Sequence, residues 1–389
     1  MQTGRHFLAI PGPTVIPDRV LRAMNVPMVN IYEGPLIDTT HSLFPDLKKL
    51  AGTVGQAVMY IANGHGAWEG ALANTIHPGD EVLVLESGRF AVGWGAQAAQ
   101  MGATVHTVQA PLRRGVDPAA VEARLREDKG HAIRAVLVVQ IDTASGVWND
   151  IEAIRRAMDA AGHPALLMVD CIACFGCVPF EMDAWGVDIM VAACQKGLMT
   201  PPGLGFVFAN DKAMANRRAR GCTSAYWDWL PRTEPDMYYK IFCGTAPVQH
   251  IFGLREALDM MAEEGKDAIF ARHARLAGAV RAAVAHWGQG GPIECNIVDE
   301  AARSNAVTTI LTGDIDAQAL RRLCENDLNV TLGLGIGMDA NSTFRIGHMG
   351  HVNEPMILGV LGTVELALTK MGAPFAKGGV EAAVSALNR

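Results

Sequence analysis

Residues 131–170, HAIRAVLVVQIDTASGVWNDIEAIRRAMDAAGHPALLMVD, carry the pattern that decides the fold. An apolar run at 131–140 is followed by helical periodicity at 150–162, and a second apolar run, 164–170, ends in Asp170. Strands that are apolar on both faces lie inside a covered sheet, and a helix between two of them makes the strands parallel. The segment therefore predicts a strand–helix–strand unit of a parallel sheet.

The same alternation continues on both sides of this segment. Helical periodicity alternates with further strand-like runs, which are QAVMYIAN (56–63), DEVLVLES (80–87), DIMVAAC (188–194) and GFVFAN (205–210). Apolar runs separated by helices indicate a mostly parallel sheet that is covered by helices on both sides. We therefore predict an α/β fold for this part of the chain.

Beyond about residue 250 the pattern changes. Two long helical stretches come first and are followed by a strand, a helix, a second strand and a last helix; the first five lie at 253–265, 268–288, 307–312, 316–327 and 343–350. This order is typical of a smaller α+β domain. We predict an N-terminal arm (1–20), a large domain (21–250) and a small C-terminal domain (251–389).

The composition favours a small-molecule function. The chain has 389 residues, half of them hydrophobic and 19% charged, with a formal net charge of −7. Because it has no basic tract, neither nucleic acid nor an anionic membrane is an expected partner. The first residues, MQTGRHFLAIPGPT, lack a signal-peptide layout, and no apolar run of about 18 residues could span a bilayer. We expect a cytoplasmic protein whose eight cysteines are reduced thiols.

Four segments at the ends of predicted strands carry groups with distinct chemistry. They are the glycine-containing turn 63–66 (NGHG), the turn 142–146 (DTASG), Asp170 and Lys196. Ligands of open α/β sheets bind outside the carboxyl ends of the strands. We therefore expect these groups to converge on one site.

Three of these segments suit the three handles of pyridoxal 5′-phosphate. A glycine-containing turn that opens a helix offers free backbone N–H groups to a phosphate. A lysine that is desolvated at a strand end has a lowered pKa and can form a Schiff base with an aldehyde. A carboxylate such as Asp170 can hold a pyridine nitrogen protonated. The segments therefore predict a pyridoxal phosphate site.

The sequence resembles the class V, fold-type I aminotransferases, in particular the alanine–glyoxylate and serine–glyoxylate branch. The resemblance covers nearly the whole chain, and the strings that carry it include IPGPTVIPDRVLRAM (10–24), NGHGAWEGALANT (63–75), AACQKGLMTPPGL (192–204) and RIGHMG (345–350). It implies the fold-type I architecture and a homodimer with shared active sites. It also implies that pyridoxal 5′-phosphate is the cofactor and that an amino group moves from a small donor, serine or alanine, to glyoxylate or pyruvate.

Other activities of the same fold are alternatives. The strings DTASG and RIGHMG also resemble the pyridoxamine–pyruvate aminotransferases, and a ureidoglycine–glyoxylate aminotransferase is a further alternative. A lyase or cysteine desulfurase would need a nucleophilic cysteine on a mobile loop before Arg345. The segment GLGIGMDANST (333–343) contains none.

The resemblance assigns roles around the cofactor ring. It makes Lys196 the Schiff-base lysine, which also moves the proton between substrate and cofactor. Asp170 pairs with the pyridine nitrogen and is the second catalytic residue. Phe90, in the string ESGRF, stacks on the ring, and Thr143 lies near the ring hydroxyl.

A second group of residues is assigned to the cofactor phosphate. The turn from Gly64 through His65 to Gly66 holds it together with Gln195, and Thr245 reaches the phosphate of the neighbouring subunit. His65 in this turn is interpreted as a stacking or hydrogen-bonding residue and not as a catalytic base. Two positions depart from the family pattern, because Cys194 replaces a serine and Phe242 replaces a tyrosine. We expect the loss of these hydroxyls to reduce cofactor affinity.

The substrate is assigned to Arg345, Tyr32 and Glu33. The resemblance implies that Arg345 binds the α-carboxylate, for which the guanidinium fork is well suited. Tyr32 and Glu33 lie where the family often carries an arginine at the active-site mouth. A carboxylate there repels an acidic substrate side chain, so we predict that neutral or cationic amino donors are preferred.

Three cysteines follow Asp170 with the spacing of a metal site. Cys171, Cys174 and Cys177 form a C-x2-C-x2-C string, but an iron–sulfur motif of this kind adds a fourth cysteine shortly after. The sequence continues with Val178 instead. We interpret the cysteines as small buried thiols and predict no metal.

Overall fold

The computed structural model describes residues 4–388. The strands, in chain order, are β1 (Phe7–Ala9), β2 (Gln56–Ala62), β3 (Glu81–Glu86), β4 (Thr104–Gln109), β5 (Ile133–Val139), β6 (Ile141–Asp142), β7 (Val147–Trp148), β8 (Leu166–Asp170), β9 (Ile189–Ala193), β10 (Gly203–Ala209), β11 (Glu294–Cys295), β12 (Val307–Leu311), β13 (Val330–Leu334) and β14 (Thr343–Gly347). The helices are α1 (Asp18–Met24), α2 (Pro35–Ala51), α3 (Gly64–Ala73), α4 (Arg89–Gln100), α5 (Pro118–Glu127), α6 (Ile151–Ala160), α7 (Asp211–Arg220), α8 (Leu230–Thr233), α9 (Val248–Glu264), α10 (Lys266–Trp287), α11 (Ala317–Leu328), α12 (Glu354–Lys370) and α13 (Gly379–Leu387).

Seven of these strands form a large sheet in the order β2–β10–β9–β8–β5–β3–β4. β10 runs antiparallel to both of its neighbours, and the other pairs are parallel. β2 therefore runs in the same direction as the remaining five strands. The carboxyl ends of all the strands except β10 meet at one edge, which is where the sequence predicts the ligand.

The centre of this sheet follows from apolar strands and a capped helix. Every residue of β8 and β9 is buried, because these strands are apolar almost throughout and are covered on both faces. α6 begins after Asp150, whose side chain accepts a hydrogen bond from the N–H of Ala153 at 2.8 Å. The unit β5–α6–β8 is the predicted strand–helix–strand segment, and the predicted α/β fold class is confirmed.

A smaller mixed sheet has the order β1–β13–β14–β12–β11. β1 comes from the beginning of the chain and pairs in parallel with β13, whereas the other pairs are antiparallel. Its buried cluster joins this sheet to α10 and α12 through residues such as Leu276, Phe344 and Leu361. The division into an arm, a large domain and a small domain stays a prediction. Within residues 4–388, no helix has the length and apolar character that crossing a membrane requires.

Candidate active site

A cavity of about 230 Å³ lies at the carboxyl edge of the large sheet. Its lining includes seven of the predicted site residues, which are Gly64, His65, Phe90, Thr143, Asp170, Gln195 and Lys196. Gly12 and Trp68, which the sequence analysis did not assign, line it as well. Strand ends that are far apart in sequence are thus brought to one site, as expected for a sheet of this kind.

Lys196 lies in the turn that follows β9. Burial lowers the pKa of its amine to about 8, and the nearby positive charge of Arg345 acts in the same direction. Nζ donates a hydrogen bond to the backbone carbonyl of Pro11. A substantial fraction of this amine is neutral near physiological pH, which is the form that attacks a carbonyl carbon.

Asp170 ends β8 and is 3% exposed. Its Oδ1 accepts from the N–H of Ile172 at 2.6 Å, and its Oδ2 accepts from the indole N–H of Trp68 at 2.9 Å. Burial nevertheless raises the pKa of this carboxyl to about 7, because no cation is bonded to it among residues 4–388. A protonated pyridine nitrogen in the cavity would supply the missing positive charge.

The turn before α3 supplies backbone donors beside this pair. α3 begins at Gly64, and the side chain of Asn63 caps it by accepting from the N–H of Gly66 at 3.2 Å. The N–H of Gly66 is therefore already bonded within the cap. Gly66 also does not line the cavity. The first N–H groups of a helix lack partners within the helix and favour an anion, so Gly64 and His65 are the better phosphate donors.

The buried amide of Gln195 also points to a ligand. Its Oε1 has no hydrogen-bond partner among the described residues, although it is buried. Such an atom is costly to leave unpaired. If the amide is turned by 180°, this position carries its NH₂ and can donate to a phosphate. Together with the helix N-terminus, the amine of Lys196 and the carboxyl of Asp170, Gln195 then fits pyridoxal phosphate at all three of its handles.

His65 contributes an aromatic contact. Its ring lies 4.5 Å from that of Trp68, between centroids, and burial together with the charge of Lys196 lowers its pKa. The two ring planes are tilted by 55°, and the predicted stacking or hydrogen-bonding role of His65 stays a prediction. Phe90 lies in an edge-to-face contact with the same indole at 6.5 Å.

Arg345, in β14, approaches the cavity from the small sheet. It is 4% exposed, and two of its N–H groups bond backbone carbonyls, Nε to Leu334 at 2.6 Å and Nη1 to Thr143 at 2.8 Å. Burial lowers its pKa to about 10. No carboxylate forms an ion pair with this guanidinium within residues 4–388, so its charge is available to an anion.

Besides Gly66 and Arg345, three predicted site residues do not line this cavity. Tyr32 is 85% exposed, and Thr245 is exposed after the short helical turn 238–242. Glu33 is also exposed and accepts from the side chain of Asn30 at 3.3 Å. None of the three lines the cavity of its own chain. The structure therefore separates them from the residues that it brings together.

The two departures from the family pattern have structural explanations. Cys194 is buried, and its thiol donates to the carbonyl of Pro201 at 3.0 Å and accepts from the N–H of Leu204 at 3.2 Å. Phe242 is buried in the core, where its ring meets that of Tyr238. Both side chains are thus used in packing.

The three cysteines after Asp170 are buried as well. The thiols of Cys171 and Cys174 both donate to Oε1 of Gln140, at 3.5 and 2.8 Å. Among residues 4–388, no group of three or more potential metal ligands is close enough to hold an ion. Burial raises the pKa of Cys177 to about 12, which keeps this thiol protonated.

Two residues of the site were missed by the sequence analysis. Gly12 packs so closely on Lys196 that a Cβ there would lie 2.3 Å from the lysine Cδ, and its φ of +93° also favours glycine. Trp68 is the indole donor to Asp170. The string IPGPT contained the signal for Gly12, but its contact lies more than 180 residues away along the chain.

Comparison with known proteins agrees with this site. The chain matches the Aminotransferase class-V family over residues 49–348. It belongs to the class V aminotransferases. The serine–glyoxylate aminotransferase of Methylorubrum extorquens is 39% identical over 99% of this chain and 96% of its own. The L-aspartate–glyoxylate aminotransferase of Paracoccus denitrificans is 37% identical over 98% of this chain and 96% of its own.

Solved structures agree with the same family. The ureidoglycine–glyoxylate aminotransferase of Bacillus subtilis has a TM-score of 0.90 at 25% identity, covering 100% of both chains. The pyridoxamine–pyruvate aminotransferase of Mesorhizobium loti also has a TM-score of 0.90, at 28% identity, covering 99% of this chain and 98% of that one. The predicted family, enzyme class and fold type are confirmed.

This class V aminotransferase uses pyridoxal 5′-phosphate, as predicted. When bound, the cofactor supplies an aldehyde that accepts the amino group and a protonated ring that withdraws electrons from the reacting carbon. The residues that would serve it are Lys196, with an amine at Nζ, and Asp170, with a carboxylate that would hold the ring proton. The protein would also supply backbone donors for the phosphate.

Proposed function

We propose that this class V aminotransferase moves an amino group from a small amino donor, serine or alanine, to glyoxylate or pyruvate. The observation that carries the proposal is the buried guanidinium of Arg345, whose charge is not paired with a carboxylate in residues 4–388 and whose field reaches Lys196. A buried cation without a counter-ion is costly. The α-carboxylate of an amino or keto acid is the anion that would complete it.

The roles of the other site residues follow from their positions. Arg345 binds the substrate carboxylate and orients the α-carbon toward Lys196. Nζ of Lys196, with its pKa of about 8, would accept the proton that leaves this carbon and deliver it to the cofactor in the same half of the reaction. Asp170 holds a proton on the ring nitrogen through its buried carboxylate.

A substrate screen and one substitution test this proposal. Activity is measured with serine, alanine, aspartate and glutamate as donors, each against glyoxylate and pyruvate. Arg345→Lys keeps the charge but loses the fork, so we expect the KM for glyoxylate to rise at least tenfold, since a bond to a charged group is worth roughly 1.5–3 kcal/mol. An unchanged KM would remove the assigned role of Arg345.

Two relatives define the second candidate activities. Solved structures of a pyridoxamine–pyruvate and a ureidoglycine–glyoxylate aminotransferase are as similar to this chain in TM-score as one another. Activity with pyridoxamine or ureidoglycine that exceeds activity with every amino acid of the screen would favour one of them. A lyase is disfavoured, because the segment 333–343 between the last two strands has no cysteine.

We further propose a homodimer in which the exposed predicted residues serve the partner's site. Large apolar side chains are exposed in the same stretches of the chain, namely Met28 and Val29 before Tyr32, and Met237 and Tyr239 before Thr245. Nε2 of Gln249 contacts Sδ of Met28 at 3.5 Å, which brings the segment of Tyr32 and Glu33 toward the helix that follows Thr245. Apolar side chains clustered on a surface mark a protein contact.

Subunit mixing tests the dimer and the shared site together. Lys196→Ala and Thr245→Ala subunits are co-expressed with different tags and purified as a mixed species. One active site of this species would carry neither substitution if Thr245 serves the partner's site, so more activity is expected than from the Thr245→Ala homodimer at half the site concentration. A monomer in sedimentation equilibrium would contradict the proposal.

We also propose a cytoplasmic location, which the eight unpaired cysteines support.

A further inference from the structure

Asp142 is a buried carboxylate beside the cavity to which no role has been assigned. It is 0% exposed, and its partners are backbone N–H groups on two different segments. Oδ2 accepts from Phe90 at 2.8 Å and from Ala91 at 3.2 Å, and Oδ1 accepts from Ala144 at 2.9 Å. One side chain therefore ties the first turn of α4 to the turn 142–146.

The space around this carboxylate fixes its position. A Cβ on Gly88 would lie 2.4 Å from Cγ of Asp142, so the carboxylate packs directly on the backbone before α4. Its location at the N-terminus of that helix is electrostatically favourable, since the first turn carries a partial positive charge. Asp142 thus caps the helix that presents Phe90, although it lies 52 residues away along the chain.

The turn 142–146 is also where the two sheets meet. The carbonyl of Thr143 accepts from Arg345 Nη1 at 2.8 Å, and the carbonyl of Ala144 accepts from the hydroxyl of Thr309 at 3.1 Å. Thr309 and Arg345 are direct partners across β12 and β14. The orientation of the Arg345 guanidinium consequently depends on the peptide between Thr143 and Ala144, which Asp142 holds from the other side.

Charge adds to this geometry. No carboxylate is bonded to Arg345 among the described residues. Burial lowers the pKa of the Arg345 guanidinium, and the charge of Asp142 acts in the opposite direction and favours the protonated guanidinium. An anion that is not hydrogen-bonded to the guanidinium stabilises its charge without occupying the fork. A directly bonded carboxylate would instead compete with the substrate.

We propose that Asp142 is a positioning residue. It holds the ring-stacking Phe90 through the backbone N–H of that residue, and it holds the carboxylate-binding Arg345 through the Thr143–Ala144 peptide, to which the guanidinium donates. The inference rests on the proposed function, because it takes Arg345 as the substrate-binding cation. Asp142 touches neither substrate nor cofactor in this arrangement. It determines the affinity for the substrate carboxylate by fixing the turn that aims the guanidinium.

The test replaces one oxygen of this carboxylate. In Asp142→Asn the amide can accept from the Phe90–Ala91 pair or from Ala144, but its NH₂ must then face the other donor. We expect the KM for glyoxylate to rise about tenfold, the size of one lost bond to a charged group, with kcat changed much less. Acetate, which does not react, should bind the holoenzyme correspondingly more weakly in a titration followed by the visible absorbance of the bound cofactor.

Two further variants separate positioning from a general loss of stability. Asp188→Asn is the matched control, because Asp188 is also buried, at 3% exposure, and accepts from the N–H of Leu167 at 2.8 Å at the opposite edge of the same sheet. It should lower the unfolding temperature without changing acetate affinity. Gly88→Ala, which presses on the carboxylate and leaves every charge in place, should reproduce the weaker binding, and it serves if Asp142→Asn does not fold.

The outcomes distinguish this inference from the proposed function. If Arg345→Lys weakens acetate binding but Asp142→Asn and Gly88→Ala leave it within twofold, the positioning role is overturned and the function stands. If Arg345→Lys also leaves acetate binding unchanged, the assigned role of Arg345 and the inference built on it both fail. Equal weakening by Asp188→Asn would overturn the positioning role as well, because any buried carboxylate would then have the same effect.

Discussion

The residues that the sequence assigns to the site fall into two regions with opposite surroundings. At the carboxyl edge of the large sheet, Lys196, Asp170 and Phe90 line a cavity with Gly64 and Thr143. Tyr32, Glu33 and Thr245 lie on the exposed surface. The first region shows its chemistry within one chain, through shifted pKa values and bonded partners. Within residues 4–388 the second lines no part of this cavity, and in the homodimer that we propose its role would depend on the partner subunit.

This difference predicts how substitutions should behave. A change at the sheet edge alters groups that already act on one another, so its effect should be large and should appear in the spectrum of the bound cofactor. A change at Tyr32 or Glu33 should leave that spectrum unchanged and alter only the choice of substrate.

Lys196→Ala should abolish turnover, because no other amine among the described residues lines the cavity. The fold should be kept, since the substitution removes a buried amine whose pKa is already lowered to about 8. Activity and the visible absorbance of the cofactor are measured on the purified variant. Lys212→Ala is the control, because that lysine lies at the opposite edge of the sheet beside Asp188. Substantial activity without added amines would contradict the assignment.

Asp170→Asn should leave the cofactor bound and lower kcat by roughly two to four orders of magnitude, the usual range for a group that controls a proton. In the apoprotein, by contrast, the same substitution should be favourable, because it should make the folded state more stable at high pH. The folded-state pKa of Asp170 is about 7, above the ordinary value of 3.8, so the folded state holds a proton that the unfolded state releases between these values. Wild-type stability is therefore lost as the pH rises from about 4 through 7.

The difference in stability between apo wild type and apo Asp170→Asn should depend on pH. The amide cannot ionise, so apo Asp170→Asn should have a higher unfolding temperature than wild type at pH 8 and a similar one at pH 4. Thermal unfolding across this range measures the difference. A parallel pH profile for both proteins would show that Asp170 is not the group that titrates, and a normal kcat would show that another group holds the ring proton.

The contrast between the two regions also explains what could be predicted from sequence. Lys196 and Asp170 follow strands that are apolar on both faces, and such runs are visible without a structure. β4 was missed because it is an edge strand in which every residue except Val108 is exposed or half-buried. β13 was missed because its sequence, VTLGL, contains a glycine and is only partly buried.

The contacts within the site were less predictable than its members. Trp68 and Gly12 were not assigned, because the bond from the indole to Asp170 and the close approach of Gly12 to Lys196 join segments from different parts of the chain. The string DTASG was recognised from the sequence. The hydrogen bonds from the first turn of the Phe90 helix to Asp142 were not predicted. Local patterns predict elements and their ends, whereas side-chain partners depend on the assembled topology.

Gly12→Ala should reduce activity less than Lys196→Ala or Asp170→Asn but more than a change at Tyr32 or Glu33. The added methyl would lie 2.4 Å from Nζ of Lys196, and alanine in this left-handed conformation costs about 1–2 kcal/mol. We expect weaker cofactor retention and at least a tenfold lower rate. Gly372→Ala is the control, because Gly372 also has a positive φ, of +65°, and meets no atom within 4 Å. Equal loss in both variants would mean that backbone strain alone is responsible.

Glu33→Arg is expected to have the smallest effect and to test the exposed region directly. Glu33 is exposed and has one side-chain contact, to Asn30 at 3.3 Å. If the segment reaches the partner's active-site mouth, its negative charge repels an acidic donor side chain by roughly 1 to 4 kcal/mol at about 4 Å, between water and a surface-like dielectric. Wild type should then prefer serine or alanine over aspartate.

The similarity of relatives cannot replace this measurement, because a serine–glyoxylate and an L-aspartate–glyoxylate aminotransferase are 39% and 37% identical to this chain. Charge reversal at Glu33 should raise kcat/KM for aspartate relative to serine several-fold and leave the cofactor spectrum unchanged. Glu127→Arg, an exposed reversal at the end of α5, should leave the ratio unchanged. If wild type already uses aspartate best, or if both reversals give the same ratio, Glu33 is a solvated surface residue. The donor would then be selected by the cavity itself.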